Sequence, residues 1–162
     1  MKSLLILRHA EALPAGPHLP DPDRPLTDAG TAQALAIGAA LAVRAIPLPK
    51  VVCSSAVRAR ETASGVLEGG QYGVAIEVSQ RLYNAPGEEL LAALQAWPED
   101  AERALLVAHV PGVAELTGIL TTEHVDLAVI FQAATLAEVD LNIDKWSEID
   151  YGTGALRMLL PP

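Results

Sequence analysis

The 162-residue chain is predicted to fold as an α/β domain, a three-layer sandwich with a mostly parallel central sheet and helices on both faces. Three observations predict it. Short aliphatic runs alternate with longer alanine- and leucine-rich stretches along the whole sequence. Apolar residues make up 51% of the chain but aromatic residues only 4%, a balance suited to helices packed on aliphatic strands. Finally, the runs Ser3–Leu7 and Ala104–Ala108 each lead into a histidine, His9 after Arg8 in one case and His109 in the other. Parallel sheets bind ligands beyond the carboxyl ends of their strands, so two neighbouring strands that each deliver a histidine mark a site for phosphate chemistry.

The elements follow in order. Ser3–Leu7 is the first strand. The segment Leu13–Pro25 carries five prolines, which exclude helix and central strand, and reads as a long ordered loop at that strand's end. Thr27 has the residue type and position of an N-cap for an alanine-rich helix running to about Arg44, with Pro47 and Pro49 before a second strand at Lys50–Cys53. A helix from about Ala56 to Leu67, a short strand around Val74–Val78 and a helix from about Pro86 to Trp97 come next. The strand ending at His109 leads through Pro111-Gly112 into another helix, where proline is tolerated because a first-turn N–H has no helical partner. Leu136–Leu141 and Ala155–Leu160 complete the set as a hairpin-like strand pair around Asp144-Lys145-Trp146 and the loop 150–154. With no repeat and no low-complexity tract, residues 1–162 are expected to form one domain.

Composition narrows the function. With 20 acidic and 11 basic residues the net charge is -9, against a nucleic-acid partner, whose phosphates need clustered Lys and Arg. No apolar run approaches the roughly 20 residues of a membrane span, and the first residues are too short an apolar stretch for an export signal. A cytoplasmic location with no membrane partner is therefore expected. Cys53 is the single cysteine, which rules out an internal disulfide, and no Cys/His cluster has zinc-site spacing.

Chemistry is expected where strands hand over to helices: at Arg8-His9, along Ser54–Thr62, and at His109. At about 100° per residue Arg58 and Thr62 share one helix face while Arg60 points away, so Arg58 is the arginine able to reach a site. Two histidines with two arginines suit phosphoryl transfer, in which one imidazole attacks phosphorus and cations hold the oxygens. Neither a Gly-x-x-x-x-Gly-Lys nor a Gly-x-Gly-x-x-Gly loop is present, against nucleoside triphosphates and dinucleotides.

These residues resemble a known family. Leu7-Arg8-His9-Ala10-Glu11 is similar to the Arg-His-Gly/Ala motif that opens the histidine phosphatase superfamily, or phosphoglycerate mutase-like fold. Arg24-Pro25-Leu26-Thr27 with Gly30, Ser54 through Arg58-Ala59 to Thr62, Leu82-Tyr83-Asn84-Ala85, His109 before Pro111-Gly112, and Trp146–Gly154 all resemble its short, SixA-like phosphohistidine phosphatase branch. The resemblance implies that His9 is the phosphorylated nucleophile, that Arg8, Arg58 and His109 form the phosphate pocket, that Arg24 lies at its rim, and that neither cofactor nor metal is needed. It implies as substrate a phosphorylated protein carrying phosphohistidine, with inorganic phosphate as product, or alternatively a small phosphomonoester. Two departures stand out. Val110 follows His109 where the family usually has a polar residue, and the chain is too short for the insertion that brings a glutamate acid in mutase-type members. Glu11, Asp21 and Asp23 are the candidate acids by proximity in sequence. A phosphoramidate makes smaller demands on such an acid than an alkyl ester does. A degenerate module that binds phosphate or a phosphoprotein without turnover is the competing reading.

Other polar residues have plainer expectations. His18 and His124 read as boundary residues, Arg60 as a solvated helix charge, and Arg24 as either a rim cation or a brace for Asp21 or Asp23. Cys53 reads as core, Ser54 and Ser55 as helix caps, and Tyr83 and Trp146 as packing anchors.

Overall fold

A computed structural model describes residues 1–122 and 130–162; His124 lies outside the described residues. Six strands form one sheet in the order β3-β2-β4-β1-β5-β6. They are β1 (Lys2–Arg8), β2 (Val51–Ser54), β3 (Ile76–Ser79), β4 (Arg103–Ala108), β5 (Leu136–Leu141) and β6 (Gly154–Leu160). Among the described residues the helices are α1 (Asp28–Val43), α2 (Val57–Gly70), α3 (Gly87–Gln95) and α4 (Gly112–Thr121). Strand β1 pairs parallel with β4, β4 with β2, and β2 with β3, whereas β5 runs antiparallel to both β1 and β6. The expected α/β sandwich with a mostly parallel sheet is the observed one.

The three layers follow from the two-residue period of a strand. Leu4 and Ile6 of β1 join Leu106 of β4 in a core that includes Leu90, Leu94, Leu116 and Trp146. Leu5 and Leu7 point the other way and join Val107, Cys53, Ala34, Leu41 and Val66. Helices α3 and α4 thus cover one face and α1 and α2 the other. Burying about five aliphatic side chains of this kind contributes on the order of 10 kcal/mol before entropy is counted.

Helix α1 starts where Thr27 predicts, since its hydroxyl oxygen accepts from the Gly30 N–H at 2.9 Å. The contact between α1 and α2 is close enough to require glycine: a Cβ on Gly38 would lie 2.1 Å from the Val66 carbonyl oxygen, and one on Gly69 2.0 Å from that of Leu35. This approach fixes α2 against the sheet and with it the position of Arg58.

Boundaries differ from expectation in three places. Strand β3 begins two residues late, at Ile76, as befits an edge strand paired on one side alone. Helix α2 extends to Gly70 and is closed by Gln71 in the left-handed region at φ 57°, so Gly69 and Gly70 stay helical despite their propensity. Within the proline loop, Asp21–Asp23 form one 3₁₀ turn with a proline at its start, a position where the missing N–H costs nothing.

The two edges of the sheet differ in charge. At the amino edge Lys2 is buried on Glu99 at 3.0 Å and beneath the Trp146 ring, and Lys50 on Glu77 at 2.8 Å and Asp100 at 3.3 Å. At the carboxyl edge the cations are arginines, arranged around two histidines.

Candidate active site

Parallel pairing of β1 with β4 places Arg8 opposite Ala108, so that His9 and His109 leave the sheet side by side. The ladder reaches His9 itself, whose N–H donates to the Ala108 carbonyl at 3.1 Å and whose carbonyl accepts from the Ala134 N–H at 3.2 Å. Backbone at this position is therefore clamped on both sides. The imidazole rings meet edge to face with centroids 5.2 Å apart, and both are buried.

The His9 ring is oriented by its own neighbourhood. Its Nδ1 lies 2.8 Å from the Ala10 carbonyl oxygen, which can only accept, so Nδ1 carries the proton and Nε2 the lone pair. The Ala10 N–H donates to Thr62 Oγ1 at 3.0 Å, and Thr62 Oγ1 donates in turn to the Arg58 carbonyl at 2.6 Å. One hydroxyl thus ties the His9 turn to the first turn of α2, as the shared face of Arg58 and Thr62 predicts. Arg60 is exposed on the far side.

Arg58 joins every part of the site. Its Nε donates to His9 Nε2 at 3.3 Å, Nη2 lies 3.3 Å from His109 Nδ1 and 3.1 Å from Asp21 Oδ2, and Nη1 donates to the Asp21 carbonyl at 2.7 Å. Arg8 comes from β1 and donates through Nη1 to the Phe131 carbonyl at 2.8 Å. The buried Nε of Arg8 has no hydrogen-bond partner among the described residues.

Arg24 takes the bracing role of its two expected ones. It braces Asp21, Nη1 to Oδ1 at 2.9 Å, and it stands close enough for its charge to act on His9 and His109. Of the three candidate acids only Asp21 enters the cluster. The Glu11 carboxylate accepts from Thr27 Oγ1 at 2.8 Å, bracing the start of α1, and Asp23 makes no side-chain contact with the cluster among the described residues. Asp21 is a poor acid in this state. The Tyr83 hydroxyl, with Arg24 and Arg58 after it, holds its carboxyl well below the usual carboxylate range.

Two residues read from sequence as structural belong to the site. Tyr83 donates its hydroxyl to Asp21 Oδ2 at 2.5 Å and sets its ring edge to face on His109 with centroids 5.6 Å apart. Ser54 Oγ pairs with His109 Nε2 at 2.7 Å while accepting from the Ala56 N–H at 3.3 Å. Its capping role is thus minor and its contact with the second histidine the stronger one. Trp146 is the packing anchor expected, fully buried with its indole N–H on the Ala101 carbonyl at 2.9 Å. Cys53 is buried core, its thiol pushed up to about 11 by burial.

Residues 4–103 match the family model of the histidine phosphatase superfamily, branch 1. The chain belongs to this superfamily. A curated relative, an uncharacterized protein of Mycobacterium leprae, is 32% identical over 120 residues, 71% of each chain. Among solved structures the chain is similar to a protein assigned as the phosphohistidine phosphatase SixA of Nakamurella multipartitia, with 26% identity, TM-score 0.83, and coverage of 99% of this chain and 96% of that one. A counterpart with the same assignment from Agrobacterium tumefaciens gives 25% identity, TM-score 0.82, and coverage of 99% and 98%. Within the superfamily the chain is SixA-like, and its fold is the phosphoglycerate mutase-like one that the motifs imply.

The electrostatics of this superfamily site carry a testable consequence. Burial first, then the charges of Arg58, Arg8 and Arg24, lower His9 to about 4, while the Ala10 carbonyl opposes them. Burial, the neighbouring His9 and Arg58 lower His109 to about 3. Both rings are neutral at pH 7. Between these values and the ordinary 6.5 the unfolded chain binds more protons than the folded one, so stability falls as pH drops below about 6.5. A ring-proton NMR titration of the free protein should find neither histidine titrating above pH 5. A midpoint near 6.5 for His9 would contradict this geometry, and a thermal midpoint that declines between pH 6.5 and 4 would agree with it.

Proposed function

We propose that the protein is a metal-independent phosphatase that works through a phosphohistidine intermediate on His9 and removes phosphoryl groups from phosphohistidine in a protein. The observation that carries this reading is a histidine lone pair presented to a guanidinium donor. The Nδ1 contact to Ala10 leaves the lone pair on His9 Nε2, where the Arg58 guanidinium meets it at 3.3 Å, and the buried Arg8 Nε has no partner among the described residues. A buried guanidinium N–H without an acceptor is costly, and a phosphoryl oxygen would satisfy it.

In this reading the lone pair of His9 Nε2 attacks phosphorus in line while Arg8 and Arg58 hold the equatorial oxygens. Arg58 must exchange contacts to do so, giving up His9 Nε2 and part of its hold on Asp21. His109 donates from Nδ1 once phosphoryl oxygen replaces the Arg58 contact there, its Nε2 proton passing to solvent and Nδ1 taking one up, so that Nε2 accepts from the Ser54 hydroxyl. A donor aimed at developing charge contributes about 3 kcal/mol. Water then releases inorganic phosphate from His9, and the ring departs neutral because Nδ1 keeps its proton. The names of the SixA-like relatives support phosphohistidine as the substrate class. Val110 does not oppose the reading, since its side chain packs against the α3–α4 core and the turn is closed by the Val113 N–H on the His109 carbonyl at 3.0 Å.

The test is phosphate release in EDTA from a phosphohistidine-bearing protein and from para-nitrophenyl phosphate. Release from phosphohistidine that EDTA spares is expected. Activity on the ester alone would transfer the protein to small phosphomonoesters. Phosphate binding without release from either would make it the non-catalytic binder.

A further inference from the structure

The Asp21 carboxylate stands where a phosphatase has least obvious need of one, between two guanidinium groups that should serve an anion. It rests on Arg24 at 2.9 Å and Arg58 at 3.1 Å, accepts from Tyr83, and keeps 37% of its side chain exposed. A carboxylate has about four lone-pair positions. Three contacts leave it able to accept one more hydrogen bond from the open side.

The reaction proposed above, on which this inference rests, has a use for such an acceptor. An imidazole phosphorylated on one nitrogen leaves as neutral imidazole only when its other nitrogen already bears a proton; otherwise it must leave as the far more basic imidazolate. On the enzyme's side this condition is met by the Ala10 carbonyl, which holds the Nδ1 proton of His9 at 2.8 Å. The substrate ring needs the equivalent group.

We propose that the Asp21 carboxylate accepts the hydrogen bond from the proton-bearing second nitrogen of the substrate's phosphorylated imidazole, and thereby selects phosphoramidates of imidazole over phosphate esters. The step balances without any proton in flight. The lone pair of His9 Nε2 forms the new bond to phosphorus, the electrons of the breaking P–N bond return to the departing ring nitrogen, and each ring keeps the proton on its other nitrogen. The leaving imidazole departs neutral beside Asp21, and the phosphorylated His9 becomes the cationic ring beside Ala10.

Charge and shape agree with this assignment. Arg8, Arg24 and Arg58 outweigh the two negative charges of a phosphoryl dianion, and the cationic ring is set on the one carboxylate of the cluster. A phosphate ester brings no donor to Asp21, and one bearing a further acidic group would set it against that carboxylate unpaired. Tyr83, fixed by its hydroxyl on Asp21 and by its ring against His109, supplies an aromatic wall next to the place of the substrate ring. The groups that face Asp21 are Arg24 beside its own turn, Arg58 from α2, Tyr83 after β3, and His109 after β4. Among these the cations and the hydroxyl keep it ionised.

The experiment compares Asp21→Asn with wild type on phosphoimidazole and on para-nitrophenyl phosphate, with kcat/KM followed from pH 5 to 9. Both substrates should suffer, because Arg58 loses a partner. Phosphoimidazole should lose at least tenfold more in kcat/KM, and the alkaline fall of its kcat over the same range, set by loss of the bound ring's proton, should move about one pH unit lower. Equal losses on the two substrates with an unmoved alkaline limb would overturn the proposal and leave Asp21 as a brace for Arg58. Wild type that hydrolyses the ester but not phosphoimidazole would overturn the phosphohistidine reading itself, a failure visible before any variant is made. Asp21→Ser provides the same comparison should the amide variant not fold.

Discussion

His9→Ala is expected to lower kcat by about 10⁴-fold or more on any substrate the protein turns over, because it removes the atom that forms the bond to phosphorus. The surrounding machinery should remain. Arg58 loses its contact to His9 Nε2 but keeps Asp21 and His109, Ser54 still holds His109, and Thr62 still ties the Ala10 turn to α2. The variant should thus bind inorganic phosphate or tungstate with affinity within about tenfold of wild type, since the anion's donors are retained. Its stability should fall by about 2 kcal/mol, the scale of the ring's two lost hydrogen bonds, to the Ala10 carbonyl and from Arg58 Nε. The measurement that decides is a quench of each protein during turnover, with the protein then assayed for acid-labile, base-stable phosphate. Wild type should carry it and the variant should not. A variant that retained turnover would move the nucleophile elsewhere, with His109 the first alternative, whereas loss of both turnover and anion binding would make His9 part of the pocket's scaffold.

Much of this site is readable from the sequence because it is built on regular elements. A strand directs its last residue along a fixed line, so once Ser3–Leu7 and Ala104–Ala108 are recognised as parallel neighbours, His9 and His109 must converge. Helical periodicity likewise separates Arg58 from Arg60 and pairs Arg58 with Thr62 before any coordinate is known. What stayed hidden is what loops contribute. Asp21, one of three acids of equal standing in the sequence, owes its place to the 3₁₀ turn at Asp21–Asp23, whose direction depends on how the proline loop packs on α2. Tyr83 lies 62 residues from Asp21 in sequence, and nothing in the local pattern distinguishes a phenol that meets a carboxylate from one that fills a core. Ser54 gave a misleading signal, since a serine ahead of a helix fits a cap; its stronger partner is His109, on a different strand. The late start of β3 has a similar cause, because an edge strand's pairing is set by the single neighbour it meets rather than by its own propensity.

Replacing Arg58 tests whether the site acts as one unit. Arg58→Ala is expected to reduce kcat/KM by about 10³-fold, and Arg58→Lys by about 10²-fold, even though lysine restores the charge. The reason is geometric. Arg58 reaches His9, His109 and both the carbonyl and the carboxylate of Asp21 from one planar group, at distances between 2.7 and 3.3 Å. An ammonium on a flexible stem can meet one or two of these partners but not all of them in fixed directions. The alanine variant should also release His9 from one of the charges that keep it neutral, so that its ring titrates at higher pH than the wild-type value of about 4, though burial, the larger cause, holds it below 6.5. Kinetics and the NMR titration of His9 on the same preparations separate the contributions. If lysine recovers both activity and the His9 midpoint, the site needs only a positive charge at this position. Recovery of the midpoint without the activity would assign the remaining loss to the planar fork, and with it to the way Arg58 passes from holding Asp21 and the two histidines to holding the phosphoryl oxygens.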